Sequence, residues 1–135
     1  MQFEWDKGLE TGITALDADH QGIFARIDGF FNRCNEGGES IEVIAVIDAL
    51  DSYARKHFSY EERLQAINNY PGLADQQKHH AVFIADVADL KSKLETEGPS
   101  KQLALIAKGK LIRWFSLHIK NMDKQFVSYL SERVG

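Results

Sequence analysis

Six polar residues stand where helix-period spacing calls for apolar ones. His20 opens the series His20, Phe24, Ile27, Phe31 and Cys34. His57 and Glu61 interrupt Ile44, Ile47, Leu50, Ala54 and Leu64. Gln76 and His80 interrupt Leu73, Phe83, Val87, Leu90 and Leu94, and His118 closes Ala104, Ala107, Leu111 and Trp114. A polar side chain on a buried stripe is costly unless it is paired or bound to something. Imidazole and carboxylate together form a ligand set for iron, zinc, copper or nickel. His57 and Glu61 are spaced i, i+4, so both point the same way, and Gln76 and His80 repeat that spacing. A single histidine on such a stripe is more often a hydrogen-bonded core residue. Four at one depth with a glutamate point to a metal. His79 lies ~100° around the helix from His80 and is expected at the edge of the site, partly exposed.

The elements that must position these groups are all helical. Gly37-Gly38, Pro71-Gly72 and Gly98-Pro99 are turn signals, and they cut the chain into segments of about 18–36, 40–67, 73–96 and 100–133. Each segment shows apolar steps of three and four residues, and none shows the alternation of a strand. Ser40 and Ser100 stand at segment starts, where a side-chain oxygen can cap free N–H groups. The expected fold is all-α: an up-down-up-down four-helix bundle with an extended N-terminal leader, residues 1–17, docked through Trp5 and Leu9. In that topology, His20, His57/Glu61, Gln76/His80 and His118 converge at one end.

Composition excludes several other classes. The 135 residues fit a single domain, 1–135. One cysteine, Cys34, allows neither an internal disulfide nor a thiolate-built metal cluster. A net charge of −4 without a basic stripe argues against nucleic acid. No apolar run approaches membrane-spanning length, and the first residues lack the basic and apolar regions of a signal peptide. The expectation is a cytoplasmic protein without membrane attachment, monomeric or weakly homo-oligomeric.

The pattern Leu16-Asp17-x-x-His20, His57-x-x-x-Glu61, His80-x-x-Phe83 and Trp114-x-x-x-His118 followed by Asp123, after a Trp-containing leader, resembles the hemerythrin family in its bacterial single-domain form. The resemblance spans nearly the whole chain, and it is the combination of spacings that is specific. It implies a non-haem di-iron centre with an oxo or hydroxo bridge and an open position for O₂. By position, His20 and His57 would hold the open iron, His80 and His118 the other, and Glu61 and Asp123 would bridge both. Asp123 follows His118 by five residues, which on a regular helix points ~140° away. A local break near Lys120–Met122 is therefore expected. Phe24, Phe31, Trp114 and Ile119 are candidates for the dry wall of the ligand pocket.

The departure from the family is at position 76. Counting back from Phe83 and His80, the family's other helix-three histidine falls at Gln76, and His79 cannot replace it because 79+4 is Phe83. An amide oxygen is a poorer ligand for ferrous iron than imidazole. Gln76 is therefore either a weak ligand, a partner of bound water, or turned away. A four-His site favours autoxidation, peroxide or nitric oxide chemistry over long-lived oxygenation. Three functions follow: an O₂ carrier, store or sensor; a di-iron peroxidase, oxidase or NO-handling enzyme; or a bundle holding zinc or manganese or acting as an interaction domain. The spacing His-x-x-x-Glu disfavours a ferritin-like oxidase, which uses Glu-x-x-His.

Overall fold

The computed structural model describes residues 5–134. The first four residues of the leader and residue 135 lie outside the described residues. Three long helices, α1 (Thr14–Glu36), α2 (Ser40–Ile67) and α3 (Leu73–Glu97), are followed by a fourth rod of five pieces: α4 (Lys101–Ala107), a π turn (Lys108–Ile112), α5 (Arg113–His118), a second π turn (Ile119–Asp123) and α6 (Lys124–Val134). Backbone angles stay in the right-handed helical region at every junction of that rod, so it runs on without a break. Contacts link α1 to α2, α2 to α3, α3 to α4 and α4 back to α1, the closed ring of a four-helix bundle.

The connections follow from local chemistry. Gly37 takes a left-handed conformation (φ 72°), and the Gly38 N–H reaches the Arg33 carbonyl at 3.1 Å, ending α1 as glycine C-caps do. Ser100 caps α4, its hydroxyl accepting from the Leu103 N–H at 3.0 Å. Ser40 does not act in that way: Glu39 occupies the cap position of α2 and Ser40 is already helical.

The leader differs in detail from a simple extended strand. Asp6, Glu10 and Ile13 are extended, but a single 3₁₀ turn, Lys7–Leu9, lies between them. α1 starts at Thr14, four residues before the spacing predicts. Asp17 explains the early start, because its carboxylate accepts from the Thr11 N–H and hydroxyl, both at 2.8 Å, and from the Gly12 N–H at 3.3 Å. Leu9 is buried and Trp5 sits edge-on to Phe24 at 6.1 Å, so both docking expectations hold.

The core is continuous and aromatic. Phe24, Phe30, Phe83, Phe115 and Phe126 are all fully buried. Phe115 lies at the centre, 5.4 Å from Phe24, 5.4 Å from Phe83 and 5.5 Å from His20 between ring centroids. No helix among the described residues is long and apolar enough to cross a membrane. Phe115→Ala is expected to destabilise the protein by about 3–5 kcal/mol in urea denaturation, the usual cost of emptying a large aromatic site.

Candidate metal centre

Each polar interruption of the stripes arrives at the same end of the bundle. His20 comes from α1, His57 and Glu61 from α2, Gln76 and His80 from α3, His118 from α5 and Asp123 from the second π turn; all are buried. Asp123 gets there without the break expected near Lys120–Met122. A π turn closes an i to i+5 hydrogen bond, so a five-residue step there returns to nearly the same face, as a four-residue step does on an α-helix. Asp123 thus returns to the face of His118 while the helix stays continuous.

The two carboxylates are each shared between two pairs of histidines. Glu61 Oε2 is 3.2 Å from His57 Nε2, and Oε1 is 3.3 Å from His80 Nε2. Asp123 Oδ2 is 3.2 Å from His20 Nε2, and Oδ1 is 3.2 Å from His118 Nε2. These atoms are close but not aligned as hydrogen bonds. The Nε2 atoms of His20, His57, His80 and His118, both oxygens of Glu61 and Oδ2 of Asp123 have no hydrogen-bond partner in the protein. A buried polar atom left unsatisfied costs about 1–3 kcal/mol. So many at one point suit a cation that satisfies them together. Ligand atoms fall into two groups within 4.8 Å of one another: Glu61, His80, His118 and Asp123; and His20, His57 and Glu61. The donor set of imidazole nitrogen and carboxylate oxygen fits iron.

Two partners escaped the sequence reading. Asp19 accepts from His57 Nδ1 at 3.0 Å and Glu62 from His80 Nδ1 at 2.7 Å. A carboxylate only accepts, so each Nδ1 carries the proton and each Nε2 keeps its lone pair for a metal. Both acids sit at half-buried helix positions next to a buried site residue, where apolar periodicity carries no signal.

The aromatic wall is also different from the expected one. Trp114 stacks on His118 (4.8 Å, 9°), and Ile119 is buried beside it. Phe24 stands behind Phe115, which is the residue that meets His20. Phe58 stacks on His80 at 4.0 Å. Phe31 is no part of the wall: it lies three turns, about 16 Å, along α1 from His20, in the deeper core. His79 is exposed, with its ring 5.8 Å from that of His118, at the edge of the site as its phase requires. A surface groove of about 460 Å³ between α1 and α2, lined by Ala15, Ala18, Asp19 and Tyr53, reaches His57.

Gln76 is turned inward. Its Nε2 donates to Asp123 Oδ1 at 3.1 Å, while its Oε1 has no partner.

Charge is balanced within the cluster. Burial opposes an imidazolium at His20, but Asp123 and Glu61 outweigh it and raise His20 to about 9. Burial opposes ionisation of Glu61, yet contacts with His20, His57 and His80 hold its carboxyl well below the usual range. Since the folded pKa of His20 lies above its ordinary 6.5, its stabilisation of the metal-free chain is complete below 6.5 and is lost as pH rises through about 9. That of Glu61 has the opposite sign, present above 4.5 and lost as pH falls well below it. A metal held by His20 would have to displace its proton, so uptake at neutral pH would release acid. The melting temperature of the metal-free protein is expected to fall between pH 6.5 and 9, and His20→Phe to flatten that fall, as read by calorimetry across pH.

Comparison with known proteins agrees with this geometry. The family model described as the hemerythrin HHE cation binding domain matches residues 11–130. A bacteriohemerythrin of Pseudomonas paraeruginosa is 31% identical over 124 residues, 91% of this chain and 78% of that protein. A bacteriohemerythrin of Stenotrophomonas maltophilia is 30% identical over 135 residues, 97% of this chain and 83% of the relative. A myohemerythrin of Riftia pachyptila is 28% identical over 124 residues, covering 92% and 90%. A cation-binding family model over the segment that carries every converging ligand, together with relatives aligned along nearly the full chain, makes this protein a member of the hemerythrin family.

Proposed function

We propose that this chain is a non-haem di-iron protein that binds O₂. The observation that carries the reading is the division of the carboxylates: Glu61 and Asp123 each turn one oxygen toward the His20/His57 pair and the other toward the His80/His118 pair. That is the arrangement two adjacent cations require of bridging ligands. His20 and His57 would hold one iron, His80 and His118 the other, with Glu61 and Asp123 between them. A ferrous pair held there would supply the electrons that O₂ binding needs.

The protein's own residues do the rest. Asp19 and Glu62 orient two of the imidazoles and keep their Nε2 atoms unprotonated. Phe115, Phe58 and Trp114 surround the ligand rings and exclude bulk water. The groove at His57 lies on the side of the His20/His57 position, the one that the family resemblance leaves open. The free, buried Cys34 fits a reducing compartment, so the reading is of a cytoplasmic O₂ carrier, store or sensor.

Gln76 favours a second reading. With an amide in place of an imidazole, an iron held by His80 and His118 would have one imidazole donor fewer, which would suit peroxide or nitric oxide turnover better than durable oxygenation.

Protein from iron-supplemented cells is expected to carry two irons per chain by elemental analysis; near-zero iron would sink both readings. Glu61→Ala, which removes an oxygen from each position, should lose most of the iron. Gln76→His should slow oxidation of the reduced protein in air by about tenfold, the scale on which changes around metal ligands act. Steady consumption of peroxide with a reductant, abolished in Gln76→His, would favour the enzyme.

A further inference from the structure

One end of the metal centre carries amide chemistry that O₂ binding at the His20/His57 position does not use. Gln65 follows Glu61 by one turn on α2, and Gln76 precedes His80 by one turn on α3. The two helices are antiparallel, in a register that sets Phe58 beside Phe83 (5.7 Å between ring centroids) and Glu61 against His80 (3.3 Å). The same register brings Gln65 level with Gln76. Gln65 is 0% and Gln76 1% exposed. Gln76 is fixed by its donor end on Asp123 Oδ1, the oxygen that also faces His118 Nε2 at 3.2 Å. Left over are Gln76 Oε1 and both the Oε1 and Nε2 of Gln65, buried and without a partner. A core position that tolerates leucine by period instead holds an amide with both ends free, beside a second amide with its acceptor free. Such groups are retained where something small hydrogen-bonds to them.

Tyr70 closes this end. Its ring packs on Phe126 (4.9 Å) and Tyr129 (5.1 Å), and its backbone N–H donates to the Gln65 carbonyl at 2.9 Å. The loop is pinned in turn by the Tyr129 hydroxyl, which donates to the Asn68 carbonyl at 2.7 Å.

We propose that Gln65 and Gln76 form the binding site for a small exchangeable ligand of the His80/His118 metal, water or hydroxide at rest and replaceable by a small anion. The Gln65 N–H donates to the ligand in each case, and when the ligand is water the two carbonyl oxygens accept its two protons. The inference rests on the di-iron reading and adds a second ligand position to it, on the iron opposite the open one.

Azide titration of the ferric, iron-loaded protein, followed by azide-to-iron charge-transfer absorption, tests this. Two azides are expected per two irons. Gln76→His should bind one, because imidazole fills the position. Gln65→Met, close in volume but unable to hydrogen-bond, should keep both irons and the first azide and weaken the second about tenfold, the effect of one hydrogen bond to a charged ligand. One azide per two irons in the unaltered protein, as direct coordination by Gln76 Oε1 would give, overturns the proposal and leaves the di-iron reading intact. An unchanged second azide in Gln65→Met overturns it too. Absence of iron overturns the di-iron reading itself, and this proposal with it.

Discussion

Unsatisfied polarity in a dry interior is the constraint on which this structure turns. Four imidazole nitrogens, both oxygens of Glu61 and Oδ2 of Asp123 are gathered in the buried interior without a hydrogen-bond partner in the protein. An apolar bundle would not keep such a group for stability's sake, since shape-matched hydrophobic residues do as well or better. The surrounding packing is arranged around that knot. Phe115 lies against His20, Phe58 lies flat on His80 and Trp114 on His118, so the aromatic core doubles as the frame that sets the ring planes. Folding energy and ligand geometry are carried by the same contacts.

The last helix has to serve two spacings at once. His118 must face the cluster from an α-helical turn, and Asp123 must face it five residues later. A π turn reconciles them by widening one turn while keeping the backbone hydrogen-bonded, a device recurrent at functional sites. The earlier π turn, Lys108–Ile112, shifts phase upstream. Phe115 is consequently fully buried, whereas Trp114, on the regular stripe, is half-buried.

Much of this was legible in residue spacing. The four-helix architecture, the turn positions and the convergence of His20, His57, Glu61, Gln76, His80 and His118 all follow from a 3.6-residue period, which measures direction well. What periodicity cannot measure is a change in the period itself, so the second π turn appeared only as an anomaly at Asp123 and the first not at all. It is equally blind to half-exposed partners. Asp19 and Glu62 look like ordinary solvated acids until α1 and α3 are placed beside α2. Phe31 and Phe115 show a third limit: a stripe says which residues are inside, but depth along the helix decides which of them meet the site.

Asp19 and Glu62 also have an outward aspect. Their side chains are 37% and 26% exposed, while the histidines they hold are almost wholly enclosed. Each is a conduit one residue long between the solvent and a buried histidine. The enclosed rings are thus linked to the surface through these two acids. Charge arriving at the surface, whether salt or a proton, alters how strongly these carboxylates pull on the imidazole protons. It thereby alters the electron density available at Nε2. Two such leads let surface charge act on enclosed imidazoles with no opening of the fold.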